Sequence, residues 1–154
     1  MFSGDWIEHQ ELNHQDRPVR VIQIWYAADP RFRGLPPHYQ QAHRDQLPSR
    51  RAGEAMVFDL IGSGSPMEAH MHGRLTAAAV DPGGATGLEP PQPGEDLFLY
   101  VTDGRGRLST PAGEVELGLY DVILARPSAP SAQLRAASED RLHFLSFYLP
   151  PFLN

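Results

Sequence analysis

From Glu54 to Leu149 the sequence never keeps a helical period for long, running instead in short stretches rich in Val, Ile, Leu, Phe and Tyr. The 14 Gly and 15 Pro are spread along the chain rather than gathered in one linker. That texture specifies many short strands joined by tight turns. Strands are predicted over residues 19–27, 54–62, 74–81, 97–102, 107–110, 114–117, 120–125, 133–136 and 142–149. In "TDGRG", Asp103 and Gly104 separate two of these runs; in "TPAGE", Pro111 and Gly113 mark a reversal, where glycine is free to take positive φ. Hairpins imply antiparallel pairing. The predicted fold class is therefore all-β, an antiparallel barrel or jelly roll, which hides its own edges.

With 154 residues the chain is long enough for one domain with a real core and too short for two ordinary ones. The stretch "DPRFRGLPPHYQQAHRDQLPSRR" is polar, broken by four prolines and free of alternation. It reads as a connector with one short helical turn, dividing an N-terminal arm and linker (1–45) from the barrel proper (46–154). The net charge of -6, from 13 basic and 19 acidic residues, lacks the surplus that draws a chain onto phosphate backbones or anionic lipid. No direct nucleic-acid or membrane partner is expected. The absence of cysteine removes disulfides, thiolate metal sites and a cysteine nucleophile together. Residues 1–10 carry Asp5 and Glu8 and form neither a basic nor an apolar leader region, so a cytoplasmic location is the expectation.

Two features carry candidate chemistry. His9 and Glu11 stand two positions apart, which on a strand would aim an imidazole and a carboxylate at one face. His70 and His72 in "PMEAHMHGRL" would do the same with two imidazoles, although seven histidines in the chain make that spacing unsurprising. "DPGGATG" lacks the lysine and following helix of a phosphate loop and reads as a turn. Ser63 and Ser65 in "GSGSP" read as loop residues, because Pro66 opposes the helix that a nucleophile elbow needs. The aromatics Trp25, Tyr26, Phe98, Tyr100, Phe144, Phe147 and Tyr148 are expected to fill the core or else to line a cavity inside the barrel, and Arg50 and Arg51 to form a solvated patch.

Barrel, proline-rich turns and histidine pairs together resemble the cupin fold. Its first motif runs His-x-His, three residues, Glu, six residues, Gly, and its second ends in a lone His. With the glycine set on Gly104 in "EDLFLYVTDG", the first three ligand positions fall on Pro91, Pro93 and Leu97. In "YDVILARPSAPSA" the fourth falls near Ser131. None of these side chains ligates a metal as the motif requires, so the resemblance implies a metal-free barrel.

Within that fold, "VIQIWYAADPRFRGLPPHYQQ" resembles the segment joining the two barrels of pirins and pirin-like quercetinases, and "AHMHGRLTAAAVDPGG" resembles the opening of their second barrel. His70 falls at a histidine of that family to which no metal role attaches; His72 does not. "MFSGDWIEHQELN" is similar to the stretch that closes the family's first barrel, where an "HSE" motif supplies the last two metal ligands. The resemblance thus sets His9 and Glu11 at ligand positions, a half site whose other half, an "HPHRG" motif, would lie upstream of Met1. It implies either a shortened relative or a chain lacking an upstream barrel.

Three functions follow from the resemblance. The first is a pirin-like cupin without a complete metal site, acting as a small-molecule-binding or assembly module and needing no cofactor. The second is a quercetin dioxygenase-type enzyme using Fe(II) or another divalent transition metal, with the site completed by rebuilding or by a neighbouring subunit. The third is a cofactor-free isomerase or cyclase. Because "VRVIQIWYA" is apolar enough to need burial, a homo-oligomer in which the arm is covered or exchanged is also expected.

Overall fold

The computed structural model describes residues 1–4 and 6–151. The chain divides into two compact units, the smaller formed by Met1–Gln41 and Ala69–Met71, the larger by Ala42–Glu68 and the chain from His72 onward.

Alternation of apolar and polar residues builds the larger unit. Its strands are β1 (Ser49–Ala52), β2 (Ala55–Ile61), β3 (Arg74–Val80), β4 (Ala85–Leu88), β5 (Asp96–Asp103), β6 (Gly106–Thr110), β7 (Gly113–Leu117), β8 (Val122–Ala125), β9 (Ala132–Ala136) and β10 (Leu142–Leu149). They form a six-stranded sheet in the order β1-β2-β3-β10-β5-β8 and a four-stranded sheet in the order β4-β9-β6-β7, with every pairing antiparallel. In β5, Leu97, Leu99 and Val101 are fully buried, and the intervening Phe98 and Tyr100 take the opposite face. Leu142, Phe144 and Tyr148 of β10 join this core, and Leu117, Leu134 and Ala136 meet it from the four-stranded sheet. The core therefore lies between the two sheets of a jelly roll.

Most predicted strands form, and the departures have physical causes. Residues 19–27 make no strand, because no neighbouring strand offers them hydrogen bonds among the described residues. Val19, Val21, Ile22 and Ile24 are left exposed, as is Trp25, which is 75% exposed rather than in a core. Strands β1 and β4 were not expected. β1 carries Arg50 and Arg51, which are exposed as expected and also pair with Asp59 at 2.6 Å and Asp81 at 3.5 Å. β4 occupies the second half of the glycine-rich stretch read as a turn. The connector holds two 3-10 turns, Pro30–Phe32 and Arg44–Gln46, rather than one. Ser65 is a loop residue, its Oγ donating to the Leu60 carbonyl and accepting from the Met67 amide. Among the described residues no helix is long and apolar enough to cross a membrane.

Candidate functional site

One end of the barrel holds a cavity of about 150 Å³. Leu97 of β5, Leu108 of β6 and Ile123 of β8 form its floor, and its rim comes from two proline-bearing loops, through Pro90 and Pro91 on one side and Ala129 and Pro130 on the other. Leu88, Leu124, Ala125, Ala132 and Thr110 complete the wall. Thr110 carries the one side-chain polar group of the lining, and it is committed locally: its hydroxyl donates to the Gly113 carbonyl at 3.1 Å and accepts from the Ala112 amide at 3.2 Å. No lining residue carries a charge, an imidazole or a carboxylate. Such a surface offers burial and shape to a ligand and no group for proton transfer.

The motif register overlaps this lining in part. Pro91 and Leu97, which stand at the first and third expected ligand positions, both line the cavity, and so do Pro130 and Ala132, the neighbours of Ser131. Pro93 is not part of the wall. A divalent metal requires nitrogen or oxygen donors from several sides, and this lining does not fit one.

A charged network fixes the rim loop that carries Pro90 and Pro91. The Tyr148 hydroxyl donates to the Glu89 carbonyl at 3.0 Å, while the Glu89 carboxylate accepts from Arg74 at 2.7 Å and from Arg50 at 3.3 Å. Arg74 also lies over the Tyr148 ring, 3.4 Å from its centroid, and reaches Glu95 at 3.5 Å. The loop is thereby held at both its backbone and its side chains. Burial, with the Glu89 carboxylate adding to it, pushes the Tyr148 phenol up to about 12 from 10.0.

That shift has a testable consequence. The folded protein keeps the Tyr148 proton to higher pH than the unfolded chain does, so the associated stability is intact below pH 10 and is lost as pH climbs toward about 12. The expected loss across that window is about 2–3 kcal/mol. Tyr148→Phe should cost about 1 kcal/mol at neutral pH through the missing hydrogen bond and flatten the alkaline decline. Urea unfolding of both proteins at neutral pH and above pH 11 measures it; an equally steep decline in the variant would remove Tyr148 as its source.

The four histidine and glutamate candidates lie elsewhere. In the smaller unit His9 and Glu11 are exposed, with Gln23 Nε2 3.4 Å from His9 Nε2 and the Trp25 ring 6.4 Å away. His70 belongs to the same unit and sits in an aromatic cluster, its ring centroid 4.6 Å from Phe2, 4.5 Å from Phe32 and 5.0 Å from His38. Its carbonyl accepts from the Asp29 amide at 2.9 Å. His72 is exposed. Residues 70–73 form a bend, not a strand, so the alternation that would present both imidazoles to one face does not operate. Among the described residues no group of three or more His, Asp or Glu side chains could hold a metal.

No family model matches the sequence, and no curated relative matches it. Solved structures do match. A cupin-2 domain protein from Rhodospirillum rubrum aligns with a TM-score of 0.54 at 21% identity, covering 78% of this chain and 86% of that one. The polyketide cyclase RemF from Streptomyces resistomycificus aligns with a TM-score of 0.55 at 19% identity, over 76% and 88%. A sugar phosphate isomerase of the cupin superfamily from Silicibacter pomeroyi aligns with a TM-score of 0.57 at 16% identity, over 73% and 76%. The chain thus has the cupin fold, an all-β barrel for which two of these neighbours are named as a cyclase and an isomerase.

Proposed function

We propose that this chain is a pirin-like cupin whose barrel works without a metal as a binding module for a small, uncharged, apolar molecule. The observation that carries the reading is the lining of the barrel cavity, where Pro91, Leu97, Pro130 and Ala132 occupy the neighbourhood in which the motif register places metal ligands. The pirin part of the reading rests on the resemblance of residues 1–13, 21–41 and 69–84 to the closing, joining and opening segments of that family's barrels. An apolar cavity of this size accommodates a single unsubstituted ring. Isomerisation or cyclisation, the activities named for two of the neighbours, needs an acid or base at the substrate, and the lining supplies none.

Benzene titrated into isotope-labelled protein is the test. Saturable shifts confined to residues of β5, β6 and β8 are expected, with a dissociation constant near the millimolar range that such ligands reach. Ala129→Phe, on the rim loop, should fill the cavity and weaken binding at least tenfold while leaving the fold intact. Absent or dispersed shifts would overturn the reading. So would near-stoichiometric iron in protein purified from iron-supplemented cells, accompanied by oxygen uptake with quercetin that His9→Ala or Glu11→Ala abolishes.

A further inference from the structure

Two acidic residues bracket the rim loop that carries Pro90 and Pro91, and one guanidinium reaches both. The loop reads Glu-Pro-Pro-Gln-Pro-Gly-Glu from Glu89 to Glu95. Arg74 of β3 donates through Nη1 to the Glu89 carboxylate at 2.7 Å and extends Nη2 toward the Glu95 carboxylate at 3.5 Å. It thus clasps the start and the end of a segment that forms one side of the cavity mouth. Pro90, Pro91 and Pro93 lack the amide that could tie the loop to the barrel, and their fixed φ keeps the segment stiff. The Gln92 amide donates to the Glu95 carboxylate at 3.1 Å, and the Glu95 amide to the Gln92 carbonyl at 2.9 Å. These two bonds shape the loop without attaching it to a strand.

The clasp is built to yield. Arg74 Nη2 is buried yet makes no hydrogen bond, with the Glu95 carboxylate standing at 3.5 Å. A buried donor left unsatisfied raises the free energy of the closed arrangement. The Glu89 side chain is 46% exposed, so water and salt compete for its ion pair. Gly94, at φ 87° with nothing within 4 Å of its would-be Cβ, stands in open space near the end of the loop.

We infer that Arg74 latches this loop at the cavity mouth, and that a guest enters and leaves when the latch opens. The inference rests on the apolar-binding reading above and adds its regulation: admission is set by an ion-pair clasp that salt loosens. Arg74 is absent from the lining, so it acts on the passage and not by touching the guest. A latch that is mostly closed, with or without a guest, changes entry and exit by the same factor and leaves the equilibrium affinity nearly unchanged.

Arg74→Gln removes both ion pairs from the strand side. The double variant Glu89→Gln with Glu95→Gln removes them from the loop side and leaves Arg74 stacked on Tyr148. In each, benzene exchange measured by NMR on the full chain should speed about tenfold in both directions. The dissociation constant should stay within about threefold of the wild type. Raising salt from about 0.05 M to about 1 M should speed exchange in the wild type and not in the variants. Without benzene, the Gln92 and Glu95 amides should exchange their hydrogens about tenfold faster in both variants, with unchanged far-ultraviolet spectra. Unchanged benzene exchange or unchanged amide exchange in both variants would overturn the latch and leave the binding reading in place. Affinity lost tenfold with an unaltered entry rate would overturn it too, by making Arg74 a support of the wall. No benzene signal in any of the three proteins would overturn the binding reading, and the latch with it.

Discussion

Replacing Gly104 with alanine is expected to destabilise the barrel by about 3 kcal/mol, which for a chain of this size lowers the midpoint of thermal unfolding by roughly 10 °C. Two costs combine. Gly104 sits at φ 79°, where an added Cβ is strained whatever space surrounds it. It also lies where β5 turns into β6 against β10, and a Cβ there would press on the Arg141 carbonyl oxygen and come within 3.2 Å of the Leu142 Cα. Those atoms belong to backbone and cannot swing aside as a flexible side chain would. Gly94 separates the two costs: its φ is 87°, but nothing lies within 4 Å of its would-be Cβ. Gly94→Ala should therefore lose only about 1 kcal/mol. Equal losses in the two variants, measured by differential scanning calorimetry, would show that the close approach to β10 does not constrain the turn.

Gly104 also shows why much of this fold is legible in the sequence. It closes the alternating run of β5, so one residue reports the strand, its end and the register of the motif before it. β10 reads equally well, from 142 to 149, because its inward residues recur every second position and three of them, Leu142, Phe144 and Tyr148, are bulky. β4 escapes that logic: four residues with Gly87 among them present no alternation, and the strand exists because β9 and the β1–β2 turn give its backbone partners. The segment 19–27 is the opposite case, strongly strand-like in composition but without a pairing partner among the described residues. The cavity is half legible. Spacing from Gly104 leads to Pro91 and Leu97, but Leu108 and Ile123 reach the same space from other strands and carry no local signal. Nor does sequence spacing reveal that Tyr148 holds Glu89 from 59 residues away. The aromatic cluster around His70 is hidden for the same reason, since Phe2, Phe32 and His38 arrive from the far end of the chain.

The chemistry of the cavity can be interrogated by giving it back one of the groups that the motif register leads one to look for. Leu97→Glu places a carboxyl at the third expected ligand position, fully buried beside Leu108 and Ile123 and with no lining cation to pair it. At about pH 8 the loss should be about 3–5 kcal/mol, from an uncompensated buried charge added to the lost leucine packing. Leu97→Ala loses packing alone, about 2–5 kcal/mol, so the size of the effect does not distinguish the two variants. Their pH dependence does. Burial in an apolar lining raises a carboxyl above its ordinary value, so the folded variant binds its proton more tightly than the unfolded chain. Leu97→Glu should therefore recover stability as pH falls from about 8 toward about 5, whereas Leu97→Ala should follow the wild type over the same range. Parallel behaviour of the two variants in urea unfolding would mean that the new carboxylate finds water or a donor, and that the cavity is not the dry space its lining describes. A separation that widens with pH would instead establish a surface that penalises an unpaired charge such as a carboxylate, as expected of a site that selects a small apolar guest.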